Sequence, residues 1–75
     1  MTVTMEEDRK KLKHLIGHWV EHNRSHEASY SEWAGKARAM GDDAAADLIM
    51  LAVGRMEEAD DLLAEALDRM RARTL

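Results

Sequence analysis

The chain has 75 residues, 35% charged and 45% hydrophobic, with a formal net charge of −4. A single domain of this length buries only about 60% of its unfolded surface, so a partner or a bound ion is expected to support it. The net acidic, mixed charge argues against a general nucleic-acid binder, the lack of cysteine excludes disulfides and thiolate sites, and no apolar run reaches the ~18 residues that would span a membrane.

Met1–Met5 carry neither the basic start nor the apolar stretch of a secretory signal, and a cytoplasmic location is expected. Proline is absent, glycine sparse, and Ala, Leu, Met, Glu, Asp and Arg dominate, a composition suited to helix. Thr4 and Glu7 form the S/T-x-x-E capping box, which predicts a first helix over 5–40. Within it, Asn23, Ser25, Ser29 and Ser31 are poor interior residues, and Ser29 with Glu32 repeats the capping pattern, so a kink or break is expected, if anywhere, near residues 23–29. Gly41 takes the left-handed cap conformation that other residues resist, which predicts a turn at 41–42. Asp42 or Asp43 then caps a second helix over 43–73, whose negative end suits Arg69, Arg71 and Arg73.

The fold class read here is all-α: a single domain, 1–75, forming a long antiparallel αα-hairpin. Leu12, Leu15, Ile16, Trp19, Tyr30, Trp33, Ala37 and Met40 step by threes and fours along helix one. Ala45, Leu48, Ile49, Ala52, Met56, Ala59, Leu63, Ala66, Leu67 and Met70 do so along helix two. One seam between two such helices leaves large apolar residues wet, and dimerisation into a four-helix bundle is the simplest remedy, so a homodimer is expected.

The only histidines are His14, His18, His22 and His26, four apart and therefore one turn apart on a single stripe. Imidazole is the commonest protein ligand of Zn²⁺, Ni²⁺, Co²⁺ and Cu²⁺. With the packing stripe centred on Trp19, Trp33 and Ala37, the histidines drift inward along the chain, and His22 and His26 fall in the seam. Residue i then faces about 83 minus i across the hairpin, so His26 faces Met56 and Glu57, His22 faces Asp60 and Asp61, and His18 faces Glu65. A metal site is expected at His18, His22, His26 and Asp60, with His14, Glu57 and Met56 as weaker candidates. The bland reading is that the seam histidines are hydrogen-bonded core residues. His18 to His22 also matches H-x-x-E-H, an inverted zinc-peptidase signature, but the chain is too short for that fold and Glu21 points to solvent. The di-iron signature E-x-x-H is absent.

Trp19 and Trp33 are expected to pack in the core. Arg9, Lys10, Lys11 and Lys13 lie beside Arg69, Arg71 and Arg73 at the open end, a basic cluster most simply read as solvated surface.

The run His14-Leu-Ile-Gly-His18-Trp-Val-Glu-His22-Asn-Arg-Ser-His26, followed by Trp33-Ala34 and an Ala- and Leu-rich second helix, resembles a small family of His-rich helical hairpins. These occur alone or attached to CooT-type nickel-binding accessory proteins. The resemblance covers roughly residues 10 to 70 and implies a metal-related role, nickel or cobalt first, with a metal-handling protein as partner and His14, His18, His22 and His26 as the matching positions. The leading expectation is a non-enzymatic carrier, buffer or sensor of a divalent transition metal. The alternative is a helical dimerisation or interaction module with structural or pH-sensing core histidines and no metal.

Overall fold

The computed structural model describes residues 4–72. Two helices, α1 (Met5–Ala39) and α2 (Asp43–Ala72), pack against each other as a hairpin. α1 begins where Thr4, in extended conformation, accepts the Glu7 backbone N–H on its hydroxyl at 3.1 Å. Glu6, Glu7 and Asp8 fill the first turn, at the positive end of the helix dipole. At the other end Gly41 has φ 87°, the left-handed value that costs glycine little. Its N–H bonds to the Arg38 carbonyl and that of Asp42 to the Ala37 carbonyl, closing the last turn. Asp42 then caps α2, its carboxylate accepting the Ala45 N–H at 3.1 Å. Arg38 bridges the corner, 3.0 Å from Asp47. The expected end of the second helix at Arg73 lies outside the described residues.

α1 runs unbroken through residues 23–31. This agrees with the expected single first helix: at its weak point Asn23 turns its amide into the seam, while Ser25, Ser29 and Ser31 stand in solvent and do not compete with the helix backbone.

The seam is narrow. From α1 it takes Ile16, Val20, Asn23, Glu27, Ala34 and Ala37; from α2 it takes Ala46, Ile49, Val53, Met56, Asp60, Leu63, Leu67 and Met70. These positions alternate steps of three and four, apart from one full step of seven between Glu27 and Ala34, which is the seven-residue period of coiled-coil packing. Among the described residues, only Ile16, Val20, Ala34, Ala46 and Val53 form the buried apolar core, and no large side chain is fully enclosed.

The placement of the aromatic residues differs from the sequence expectation. Trp19 and Trp33, expected at the centre of the packing stripe, are 41% and 53% exposed. α1 carries two apolar stripes, and averaging them misplaces the seam. The stripe of Ile16, Val20 and Ala34 packs in the seam with Ala46 and Val53 of α2, and the aromatic stripe is left roughly 100° away around the helix.

The molecule measures 56 × 24 × 13 Å, so it is a plate one helix thick. Its two faces differ. On the outer face lie Leu12, Leu15, Trp19, His22, His26 and Trp33 of α1, beside Leu48, Ala52, Ala59 and Leu62 of α2. Both sets are rotated from the seam in the same sense, which for antiparallel helices means the same side. The back face is polar, lined by Gly17, Glu21 and Arg24 of α1 against Glu57, Asp61 and Arg71 of α2. Neither described helix is long and apolar enough to cross a membrane.

Candidate functional site

A helix rises 1.5 Å and turns about 100° per residue, so side chains four apart stack with a slight drift. The histidines follow that drift. All four are exposed. His14 and His18 border the back-face groove with Gly17 and Glu21, whereas His22 and His26 reach the outer face among the aromatics. His18 and His22 lie nearly parallel, 6.3 Å between ring centroids, and do not converge. His22 and His26 are edge-on at 4.4 Å, with Tyr30 continuing the column 5.9 Å beyond.

The closest approach in this column is between the Nε2 atoms of His22 and His26, at 3.0 Å. Neutral imidazole has one protonated and one bare nitrogen. With one ring protonated at Nε2 and the other bare there, the contact is a hydrogen bond. With both bare, two lone-pair donors stand at the separation two ligands of one ion adopt: bonds of ~2.1 Å at ~90° to ~109° place nitrogens about 3.0–3.4 Å apart.

Asp60 does not join them. It is 4% exposed and sits in the inner seam, where it accepts the Asn23 amide at 2.9 Å. The offset is one residue: the hairpin register places Asp60 against Asn23 rather than His22, and that single step of ~100° sends the imidazole to the outer face. Met56 also lies in the inner seam, at the level of Glu27, and Glu57 borders the back-face groove beside Arg24. Of the expected ligands His18, His22, His26 and Asp60, only His22 and His26 come together. Among the described residues no group of three or more His, Asp or Glu is placed to hold an ion.

The structure adds a polar cluster that the sequence reading left out. Glu27 hydrogen-bonds to the Asp60 carboxylate, which raises the Glu27 carboxyl from 4.5 to about 7; burial and the charges of Asp60 and Glu57 push the same way, and Arg24 opposes them. Its Oε2 is enclosed without a partner. Two carboxylates in one seam repel unless they share a proton, and the Asn23 amide donates to Asp60 at the same place. The signal was present in the sequence: Asn23 and Glu27 continue the three–four spacing of Ile16 and Val20, so they had to face whatever the second helix placed in the seam.

No solved structure matches the chain. An uncharacterised protein of Archaeoglobus fulgidus is 34% identical over 59 residues, covering 79% of this chain and 94% of the relative. At 59 residues the similarity is longer than either helix and so involves both. The match of residues 12–70, from the first outer-face leucine to the last seam methionine, to the family model described as a domain of unknown function, DUF8180, makes this chain a member of that family.

Proposed function

We propose that this hairpin is a non-enzymatic interaction module whose working surface is its outer face, and that it pairs there with a second copy to make a four-helix bundle. The observation that carries this reading is the two-faced plate. Leu12, Trp19 and Trp33, with Leu48 and Leu62 at 68% exposure each, line one side, while the other side is charged. A soluble monomer seldom leaves an apolar patch of such extent open, and a two-layer arrangement buries it. Sedimentation equilibrium of the intact chain is expected to give twice the chain mass; a monomer at all concentrations up to ~100 µM, the range of weak self-association, would refute the reading.

A second reading is favoured by one distance. The 3.0 Å approach of two imidazole nitrogens suits a divalent transition ion, and a module of this kind would act as a carrier, buffer or sensor. The resemblance of its sequence to His-rich hairpins, which occur alone or attached to CooT-type nickel-binding proteins, makes Ni²⁺ the first ion to test, followed by Co²⁺, Zn²⁺ and Cu²⁺. Calorimetry at neutral pH is expected to show uptake with proton release, since the ligands must be neutral. His22→Ala or His26→Ala should abolish it, and His14→Ala should leave it unchanged. Equal uptake by all three variants would show that the pair is not the site.

A further inference from the structure

We propose that the two-fold axis of the paired molecule passes between His22 and His26 of α1, so that the imidazole pairs of two copies meet and form one four-nitrogen metal site that neither copy possesses alone. This rests on the outer-face pairing proposed above.

The occupant of the outer face is a second copy because the face has the dimensions of a complete self-interface. It extends over 56 × 24 Å, whereas a stable complex needs about 800 Å² from each partner. A closed dimer hides the same surface on both copies. Setting α1 antiparallel to its mate also opposes the dipoles of two long helices.

The spacing then limits the register. On the outer face α1 presents two interleaved series, Leu12–Trp19–His26–Trp33 and Leu15–His22–Ser29–Lys36, each with seven-residue steps. In an antiparallel seam, a residue of one series meets one of the other series in each layer. With the axis midway between His22 and His26, His22 faces the partner's His26. Leu15 then faces the partner's Trp33, and Trp19 faces the partner's Ser29, so the indole lies over a small residue. Leu12 faces the partner's Lys36, whose ammonium already lies 4.1 Å from the Trp33 ring, leaving its alkyl stem to cover the leucine. Moving the axis half a heptad towards the turn would leave Leu12 beyond the end of the partner's α1 and set His26 against the partner's Ser29. The midway axis keeps apolar groups together and gathers the imidazoles in one place.

Each chain supplies two nitrogens 3.0 Å apart, which is half of the four-ligand shell that Zn²⁺ prefers. Pairing completes the shell. By linkage, the ion must tighten pairing by the same factor that pairing tightens the ion.

The test combines mass, stoichiometry and cross-linking on the full chain. Sedimentation in Zn²⁺ and in chelator is expected to show dimerisation tightened at least about tenfold by the ion, with one Zn²⁺ per two chains; His22→Ala and His26→Ala should lose the increment. The chain has no cysteine of its own, so Leu12→Cys mixed with Lys36→Cys should form a disulfide under mild oxidation, and Leu12→Cys alone should not. One ion per chain, or dimerisation indifferent to Zn²⁺, overturns the shared site. Self-cross-linking of Leu12→Cys overturns the antiparallel register. A metal-indifferent dimer leaves the pairing reading intact, whereas a monomer under every condition removes both.

Discussion

At the scale of single residues, the sequence marks its functional candidates by type but not by the side they occupy. Four histidines at spacing four must share a stripe, and they do. Which way the stripe faces depends on a choice between two apolar stripes about a quarter turn apart, and that choice is made by how the two helices pack, which no residue count expresses. The same choice hides Asn23, Glu27 and Asp60 in the seam. Glu27 carries a testable consequence. Its carboxyl is raised from 4.5 to about 7 by the hydrogen bond to Asp60, so between those values the folded state binds a proton that the unfolded chain has released. Stability is therefore fullest below pH 4.5 and falls as pH rises to about 7, with no further change above it from this group. Urea midpoints measured from pH 4 to 8 should show that decline, and Glu27→Gln should flatten it. A profile in Glu27→Gln with the original slope would place the titration elsewhere.

At the scale of the elements, the helix boundaries were legible because they depend on local chemistry. Thr4, Gly41 and Asp42 each act within three or four residues of themselves, and the expected starts and turn fall where those groups put them. Thr4→Ala should cost about 1 kcal/mol of stability through loss of the cap, read from denaturant unfolding at constant m-value. Gly41→Ala should cost a similar ~1 kcal/mol, because φ of 87° strains any side chain. Gly35→Ala, in the middle of α1 with nothing within 4 Å of the added methyl, should instead stabilise by about 0.5–1 kcal/mol. The opposite signs at Gly35 and Gly41 separate backbone conformation from simple flexibility. The first helix reads as one piece with a weak point at its serines; what was not legible is the contact made at that point, Asn23 reaching across to Asp60, a partner 37 residues away.

At the scale of the whole molecule, the plate and its two unlike faces come from adding two seams to one helix. The inner seam makes the hairpin, and the outer stripe is the surface on which the proposed pairing rests. Trp19 and Trp33 report on that surface directly. In the paired state their indoles leave water, so fluorescence should shift to shorter wavelength as protein concentration rises. Leu62→Glu, on the same face of α2, should abolish the shift while leaving the helical signal in place. Loss of helix in that variant would show that Leu62 holds the hairpin itself rather than its docking.

A body only 13 Å thick has no interior away from its one seam, and that seam encloses five small or medium apolar residues and a carboxylate. The proposed pairing would double that depth, so heat resistance would become a property of the solution as well as of the sequence: the melting temperature should climb as protein concentration rises. A cell holding the protein at low abundance would keep it close to its folding threshold, ready to be set by whatever raises its local density.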